Sequence, residues 1–440
     1  MPDLLTWADL VGRRVGIYGF GVEGRANLRA CHHLGIEPVL VDDRPQDGMP
    51  SVIGTHEGGL TALLTCEIVV VAPGISVYAD EVRTLRASGV QVVGGLGLWL
   101  AGEDRRRVIC ITGTKGKSTT SSLVGHLLNS WGYRCMVGGN IGLAPWDPEA
   151  GSDYDYWVIE VSSYQATSLQ VAPAVTVVTS LNPDHLPWHE GNLETYYRDK
   201  LSLCTRPGAE VAVANGESPD LRAHADLLGP RVHWVTAADV EVEDWVDDVP
   251  LMGRHNRLNA VLAVAALREA GVSQASDPAA LRSAARSFQP LEHRLTPVTT
   301  VDGVTFIDDG LATNVLPTIA ALEAFPDRRT ALIVGGQDRG IDYRPLGRFV
   351  RDRRADTLLL TIQDVGPRIA AEVAIELVGS GSAVRECASL EEAVSAGFEW
   401  ARPGGVVLLS PAAPSFGIYR DYKERATAFV AAALAIAARA

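Results

Sequence analysis

The chain has 440 residues, of which 47% are hydrophobic and 21% are charged, and its formal net charge is −14. This length predicts two or three globular domains, and no apolar run is long enough for a membrane span. The negative charge argues against nucleic-acid binding, which requires a basic surface. We therefore expect neither a membrane nor a nucleic acid as a partner.

The opening sequence and the cysteines indicate a compartment. MPDLLTWADLVGRR has its basic pair after the apolar residues and has no small-residue cleavage site, so it does not resemble a signal peptide. Six cysteines are scattered without a CxxC pair, which argues against a disulfide framework or a structural zinc site. These features predict a cytoplasmic protein with reduced cysteines.

The first segment begins with a β-α-β pattern. An apolar strand turns through Gly19, Gly21 and Gly24 into a helix, and the next strand ends at Asp42. This spacing fits a dinucleotide site, but it fits equally well another nucleotide diphosphate such as a UDP-sugar, or only a tight turn. A dehydrogenase would depend on this motif alone and would require NAD(H) binding. The charged stretch EDRRR marks the end of a first domain, which we place at residues 1–104.

A second glycine motif, GTKGKST, runs from Gly113 to Thr119 between the strand VICIT and a helix. In this context the backbone N–H groups can surround phosphate oxygens, Lys117 can reach the β- and γ-phosphates, and Ser118 can bind magnesium. Ile111 stands where the usual pattern has its first glycine. A glycine turn with a solvated lysine is the alternative, but the strand and the helix favour an NTP site.

Candidate metal ligands follow two later strands. Glu160 ends the strand WVIE, and Asp184 and His185 follow the strand TVVTSL, so these side chains can project where open α/β sheets bind ligands. A carboxylate suits magnesium, whereas histidine is a less usual ligand, so spacing alone leaves a structural role open for the Asp-His pair.

Further strands and helices alternate after the proline-containing segment near Gln289, which predicts a third α/β domain. The chain ends in an Ala-rich stretch, Ala426 to Ala438, which predicts a closing helix rather than an anchor.

Seven motifs resemble, in order and spacing, those of the Mur ligase family over nearly the whole chain: GTKGKST, VIEVSSYQ, LNPDHLPWH, YRDK, HNRLNA, EHR and LLSPAAPSF. The resemblance implies an α/β fold with three domains. They are a Rossmann-like N-terminal UDP-binding domain (1–104), a central P-loop ATPase-like domain (105–290) and a Rossmann-like C-terminal domain that binds glutamate (291–440). GFGVEG and GGNIG most resemble the branch that joins glutamate to UDP-N-acetylmuramoyl-L-alanine in peptidoglycan precursor synthesis.

The resemblance also implies roles for individual residues. ATP would be bound by Gly113, Thr114, Lys115, Gly116, Lys117, Ser118, Thr119, Asn256, Asn259, Arg294 and Asp309. The UDP-substrate would be bound by Gly21, Asp42, Arg44, Gly74 and Asn140, and glutamate by Thr313, Arg339, Ser415 and Tyr419. Lys117, Glu160, His185 and Lys200 would be catalytic. Two Mg²⁺ ions would be held by Ser118, Glu160, His185 and Lys200, the last of which the family carbamylates.

Departures from the family pattern lie mainly on the glutamate side. Leu311 and Arg339 each stand where the family usually has a lysine. Pro187 and Ser180 replace polar residues around the Asp-His pair. A variant branch that these features resemble uses L-glutamate and leaves epimerisation to a separate enzyme, so both L- and D-glutamate stay open. We expect the chain to be a monomer.

The implied reaction is that of an ATP-dependent acid–amino-acid ligase. ATP would activate the alanyl carboxylate as an acyl phosphate, and the glutamate amine would then displace phosphate. A folylpolyglutamate-type ligase shares the ATP loop, but the UDP-like first domain argues against it. A non-catalytic nucleotide-binding sensor would also explain the glycine loops, but Glu160, His185 and Lys200 together favour turnover.

Overall fold

The computed structural model describes residues 4–45 and 51–439. The chain divides into two compact units, of which the first runs to Val249 and adds Leu258–Phe288, and the second comprises Pro250–Arg257 and Gln289 onwards. Three separate sheets, each with helices, confirm the predicted α/β fold.

The first sheet is parallel, with strand order β3-β2-β1-β4-β5. Its strands are β1 (Val15–Tyr18), β2 (Val39–Asp42), β3 (Ile53–Gly54), β4 (Ile68–Val71) and β5 (Gln91–Val93). Its helices are α1 (Val22–His33), α2 (Gly59–Leu63), α3 (Asp80–Ala87) and α4 (Gly95–Gly102). Strands β1 and β4 are buried along their whole length, as expected for a parallel sheet that is covered on both faces.

The second sheet is also parallel, with strand order β11-β10-β9-β6-β8-β7. Its strands are β6 (Val108–Thr112), β7 (Cys135–Gly139), β8 (Tyr156–Glu160), β9 (Val175–Val178), β10 (Val211–Asn215) and β11 (Val232–Val235). The helices that follow are α5 (Lys117–Ser130), α6 (Ser163–Ala166), α7 (Leu193–Leu201), α8 (Pro219–Ala223), α9 (Ala237–Val242), α10 (Arg254–Glu269) and α11 (Pro278–Ser287).

The first two sheets belong to one compact unit and share a hydrophobic core. Ala30 and Trp99 from the first segment are buried in the same cluster as Val108 and Trp157 from the second. The Arg29 guanidinium also donates to the Asp147 carboxylate, which is 2% exposed. The predicted boundary between residues 104 and 105 falls where one sheet ends and the next begins, but because of this shared core the domain limits stay a prediction.

The third sheet is mixed, with strand order β12-β13-β17-β14-β15-β16, and only β12 runs antiparallel to its neighbour. Its strands are β12 (Thr296–Val301), β13 (Val304–Asp308), β14 (Thr330–Gly335), β15 (Thr357–Ile362), β16 (Ala383–Glu386) and β17 (Val406–Leu409). Its helices are α12 (Val315–Glu323), α13 (Arg344–Asp352), α14 (Gly366–Glu376), α15 (Leu390–Ala401) and α16 (Tyr422–Ala437). The last helix confirms the predicted closing helix.

Two sequence expectations are tested by these elements. All six cysteines are free thiols, and all but the half-buried Cys135 are buried. None of the helices within residues 4–45 and 51–439 has the length and apolar character that a bilayer crossing requires.

Candidate active site

The predicted phosphate loop connects β6 to α5 in the strand-loop-helix arrangement that the sequence indicates. Gly113 and Gly116 have backbone φ angles of 141° and 91°, which residues other than glycine rarely adopt. A Cβ at Gly113 would also collide with the Thr179 hydroxyl. Helix α5 begins at Lys117, directly after the glycine that is its N-cap, so the positive end of its dipole faces the loop in which phosphate oxygens would bind.

Two lysines donate to one carbonyl of this loop. Lys117 Nζ lies 3.0 Å from Gly113 O, and Lys200 Nζ lies 3.3 Å from the same oxygen. Lys115 Nζ lies 3.5 Å from the Asp184 carboxylate, and the Lys115 N–H donates to Ser180 Oγ at 2.8 Å. The loop therefore gathers positive charge on the side where a nucleotide triphosphate would place its negative charge.

Glu160 lies at the end of β8 and accepts hydrogen bonds from two other predicted residues. Its Oε2 accepts a hydrogen bond from Ser118 Oγ and its Oε1 accepts one from Asn140 Nδ2, both at 2.8 Å. The structure thus places Asn140, which we expected at the UDP-substrate, beside the candidate metal ligands. A hydroxyl and a carboxylate oxygen at this distance are the kind of hard ligands that Mg²⁺ prefers.

A magnesium site built from these residues would be sparse in protein ligands. Among residues 4–45 and 51–439, no group of three or more His, Cys, Asp or Glu side chains is placed to hold a metal. Mg²⁺ commonly uses one or two carboxylates and completes its shell with phosphate oxygens and water. Ser118 and Glu160 therefore fit Mg²⁺ bound together with a nucleotide.

Lys200 is the buried lysine of the site. It lies on α7, is 3% exposed, and its Nζ is 5.1 Å from the centre of the Tyr196 ring. Burial, with a further contribution from the charge of Lys117, holds the pKa of Lys200 well below its ordinary value. A lowered pKa favours the neutral amine, which is the form that can react with carbon dioxide.

His185 follows β9 in a left-handed backbone conformation, with φ of 53°. Burial lowers the pKa of its imidazole, the Asp184 carboxylate opposes this shift, and the positive charges of Lys200, Lys115 and Lys117 add to it. A neutral imidazole retains a lone pair for a metal ion. This state is compatible with the metal-facing role that the resemblance implies.

A buried hydrogen-bond network beside Lys200 was not predicted from the sequence. His189 Nδ1 lies 2.6 Å from the Asp199 carboxylate and its Nε2 lies 3.0 Å from Ser163 Oγ. Tyr78 in the first segment donates to Asp199 at 2.9 Å. This geometry resembles a Ser-His-Asp triad, but Ser163 and His189 are 2% and 0% exposed, so the network holds Asp199, the neighbour of Lys200, rather than offering a nucleophile.

The predicted UDP-substrate residues of the first sheet lie at the carboxyl ends of its strands. The Asp42 carboxylate accepts hydrogen bonds from the Phe20 N–H at 2.6 Å and the Arg44 N–H at 2.7 Å. Gly21 is the residue before α1, and Arg44 is exposed. In this structure Asp42 thus organises the glycine turn at which a diphosphate would bind.

A cavity beside this turn was not predicted. It is lined by segments 71–77 and 92–96 of the first sheet together with Tyr164, Gln165 and Trp188 of the second. It includes Glu23, whose carboxylate accepts a hydrogen bond from Gln165 Nε2 at 2.6 Å. Burial raises the pKa of Glu23 to about 7 although the hydrogen bond from Gln165 opposes this shift.

The two predicted adenosine-site asparagines belong to different compact units. Asn259, in the first unit, is 6% exposed and its side chain packs against Gly116 of the phosphate loop. The packing is so close that a Cβ added to Gly116 would lie 2.8 Å from Asn259 Oδ1. Asn256, in the second unit, is 7% exposed and its Nδ2 donates to Met252 O at 2.8 Å.

Asp309 in the second unit is a buried acid. Its carboxylate accepts hydrogen bonds from Ser410 Oγ at 2.7 Å and the Leu295 N–H at 3.3 Å. Burial raises the pKa of Asp309 to about 7, although the hydrogen bond from Ser410 and the charge of Arg294 oppose the shift. The charge of Arg294 therefore acts on Asp309, which agrees with the prediction that both residues contact the same ligand, ATP.

The predicted glutamate residues lie on three segments at the carboxyl edge of the third sheet. Thr313 follows β13, Arg339 follows β14, and Ser415 and Tyr419 follow β17. Thr313 and Arg339 are exposed, Tyr419 is half-buried and Ser415 is 3% exposed. The structure brings these segments to one edge, although the first and the last of them are more than a hundred residues apart in the sequence.

Comparisons with known proteins agree with this geometry. A family model described as the Mur ligase middle domain matches residues 111–246, and one described as the Mur ligase, glutamate ligase domain matches residues 293–413. Two curated relatives are both named UDP-N-acetylmuramoyl-L-alanine–L-glutamate ligase. The one from Micromonospora is 39% identical over 97% of this chain and 97% of its own length. The one from Xanthomonas euvesicatoria is 38% identical over 96% of this chain and 95% of its own length.

Solved structures show the same fold at low identity. UDP-N-acetylmuramate–alanine ligase from Thermotoga maritima has a TM-score of 0.53 at 16% identity, covering 96% of this chain and 100% of that chain. Folylpolyglutamate synthase from Mycobacterium tuberculosis has a TM-score of 0.54 at 15% identity, covering 74% of this chain and 92% of that chain. On the basis of the two family models and the near full-length relatives, this chain belongs to the Mur ligase family and is an ATP-dependent ligase.

Proposed function

We propose that the chain joins L-glutamate to the alanyl carboxylate of UDP-N-acetylmuramoyl-L-alanine, converting ATP to ADP and phosphate. The observation that carries this proposal is the 39% identity, over 97% of the chain, to a relative named for that reaction. The departures at Leu311 and Arg339 lie in the predicted glutamate segments and support a variant amino-acid site. A product with an L-glutamyl centre would then need a separate epimerase.

The phosphate loop would act first, by binding ATP. The N–H groups at the start of α5 and the ammonium of Lys117 would stabilise the β- and γ-phosphates as charge develops during transfer. The alanyl carboxylate oxygen attacks the γ-phosphorus, and ADP leaves. The product of this step is an acyl phosphate, in which one oxygen of the original carboxylate bridges the carbonyl carbon and the phosphorus and the other is the carbonyl oxygen.

The amino acid would act second. Its amine attacks the carbonyl carbon of the acyl phosphate and forms a tetrahedral intermediate. Phosphate leaves with the bridging oxygen, and the nitrogen loses a proton to give the amide. We propose that Thr313, Arg339, Ser415 and Tyr419 hold the incoming amino acid, while the ATP roles of Asn256, Arg294 and Asp309 stay predictions.

Magnesium would supply charge neutralisation for the phosphates. We propose that Ser118, Glu160 and His185 hold it, because they offer a hydroxyl, a carboxylate and a neutral imidazole. Lys200 would contribute as a carbamate: its neutral nitrogen attacks carbon dioxide and loses a proton, which converts the side chain into an anion. The buried position and lowered pKa of Lys200 support this modification.

Purified enzyme with ATP and Mg²⁺ tests the proposed substrates. Phosphate release and product mass are measured with UDP-N-acetylmuramoyl-L-alanine and either L-glutamate or D-glutamate. We expect turnover with the L-enantiomer and a product heavier by one glutamyl residue. Turnover with D-glutamate alone would refute the proposed stereochemistry, and release with neither would refute the muramoyl–glutamate assignment.

The cavity beside α1 predicts a pH-dependent affinity for the UDP-substrate. Glu23 faces this cavity with Gln165, and Arg86 and Tyr164 are its other titratable lining groups. Because the pKa of Glu23 is raised to about 7, its carboxyl is protonated below that pH and becomes an anion above it. An anion near the diphosphate is repulsive, so the KM of the UDP-substrate should rise several-fold between about pH 6 and about pH 8.

Glu23→Gln keeps the shape of the side chain and removes the titration. We expect the variant to have a KM for the UDP-substrate that is nearly constant over this pH range and lower than that of the wild type at the alkaline end. Glu241→Gln, on the exposed face of α9, is the control and should follow the wild type. An equal pH dependence of KM in Glu23→Gln and wild type would contradict this assignment.

A further inference from the structure

Arg425 is a buried cation that the reaction scheme above does not use. It lies in the first turn of α16, is 0% exposed, and is one of the largest fully buried side chains of the described chain. A buried guanidinium is costly unless its N–H groups are bonded and its charge is compensated. The partners of Arg425 therefore indicate why the fold retains it.

Those partners are main-chain carbonyls. Nη1 donates to Gly335 O at 3.1 Å and Ala413 O at 3.2 Å, and Nη2 donates to Gly310 O at 3.1 Å and Ala413 O at 3.3 Å. Nε is buried and has no partner among the described residues. The hydrogen bonds thus satisfy most of the donors, but none of these partners carries a negative charge.

The carboxylate of Asp308, which attracts the Arg425 charge, is already engaged elsewhere. Its Oδ2 lies 2.6 Å from His293 Nδ1, and its Oδ1 accepts from the Gly310 N–H at 2.9 Å. Burial lowers the pKa of Arg425 only to about 10, so the guanidinium stays positive near neutral pH. The second unit therefore contains a buried positive charge without an ion-pair partner among the residues that the structure describes.

The three bonded carbonyls lie on the segments that carry the predicted amino-acid contacts. Gly310 follows β13, Gly335 ends β14, and Ala413 follows β17, and these strands are neighbours in the order β13-β17-β14. Thr313, Arg339 and Ser415 lie a few residues further along the same three segments. One side chain thus joins the segments at the sheet edge where α/β folds bind ligands.

We propose that Arg425 is a positioning and specificity-determining residue of the amino-acid site. It holds the three segments in register, and its unpaired charge favours an amino acid with an acidic side chain over the uncharged amide analogue. This inference rests on the proposed function. It also explains how the site can select glutamate although Leu311 stands where the family has a lysine.

A change in amino-acid selectivity separates this role from a merely structural one. The ratio of kcat/KM for L-glutamate to kcat/KM for L-glutamine is independent of the fraction of active enzyme. Arg425→Met removes the charge and the hydrogen bonds, and we expect this ratio to fall about tenfold or more, because a buried charge is poorly screened. The KM of the UDP-substrate should stay within about twofold, since its predicted residues lie in the first unit.

Arg425→Lys keeps the charge but cannot bond three carbonyls with one compact ammonium. We expect it to retain the glutamate-to-glutamine ratio within about threefold and to raise the KM of glutamate severalfold. Arg420→Met is the matched control, because Arg420 is exposed, lies just before α16, and pairs with Glu424 in the first turn of that helix. It should leave both quantities unchanged.

The selectivity ratio and the folding of the two Arg425 variants decide between a role in the amino-acid site and a role in stability. An unchanged selectivity ratio in Arg425→Met, even with a lower kcat, would assign Arg425 to stability and overturn it. If Arg425→Met does not fold, Arg425→Lys decides, and a wild-type KM for glutamate in that variant would overturn the proposal. Loss of folding in both variants would likewise assign the residue to stability. A wild-type enzyme that does not use glutamate would refute both this inference and the proposed function.

Discussion

Lys200→Ala is expected to lower kcat about a thousandfold or more while leaving ATP binding intact. The amine of Lys200 is buried, is bonded to Gly113 O at 3.3 Å and has a lowered pKa, so it is placed to become the carbamate proposed above. Alanine removes that anion, whereas Lys117 and the N–H groups of α5 still bind the phosphates. Phosphate release gives kcat, and calorimetric titration gives the affinity for ATP.

The lysine content of the chain provides an internal control. Of the four lysines in the sequence, three lie at the candidate site and the fourth, Lys423, is exposed on α16. With ¹³C-labelled bicarbonate, the wild type and Lys423→Ala should show a carbamate carbon signal that Lys200→Ala lacks. A Lys200→Ala enzyme with more than about a tenth of wild-type activity would contradict the proposed role.

Glu160→Gln is expected to lower kcat about a hundredfold or more. The Glu160 carboxylate accepts from Ser118 Oγ through one oxygen and from Asn140 Nδ2 through the other, and it is 2% exposed. Glutamine has the same shape but only one acceptor oxygen, so one of these two donors would face an NH₂ group. The negative charge that suits Mg²⁺ is also lost.

The dependence on magnesium distinguishes a ligand from a packing residue. If Glu160 holds Mg²⁺, the variant should need a severalfold higher Mg²⁺ concentration for half-maximal phosphate release, and its melting temperature should change little. Glu241→Gln removes an exposed carboxylate and should behave as the wild type in both assays. An unchanged Mg²⁺ requirement in Glu160→Gln would place the metal elsewhere.

Local patterns in the sequence predicted the parts of the site that lie within one strand-loop-helix unit. The loop from Gly113 to Thr119 and the turn at Gly19 were predicted because positive φ angles and helix starts require glycine at fixed positions. Glu160 was placed at a strand end because apolar strands have clear limits. These features depend on neighbouring residues, so periodicity and turn chemistry are sufficient.

Features that depend on contacts between distant segments were not predictable in this way. The network of His189, Asp199 and Tyr78 joins residues up to 121 positions apart, and no spacing in the sequence indicates it. Nothing in the sequence around Arg425 indicates that its hydrogen bonds reach Gly310, 115 residues earlier. The UDP-substrate role of Asn140 stays a prediction, and its hydrogen bond to Glu160 follows from the pairing of β7 with β8, which the sequence does not indicate.

Activation of the alanyl carboxylate as an acyl phosphate is the step on which the proposed reaction depends. It is tested with UDP-N-acetylmuramoyl-L-alanine labelled with ¹⁸O in that carboxylate, by mass spectrometry of the phosphate released in the presence of ATP, Mg²⁺ and L-glutamate. We predict that each phosphate released carries one ¹⁸O atom, because the bridging oxygen leaves with phosphorus. Unlabelled phosphate, formed while the amide product accumulates, would contradict an acyl-phosphate intermediate.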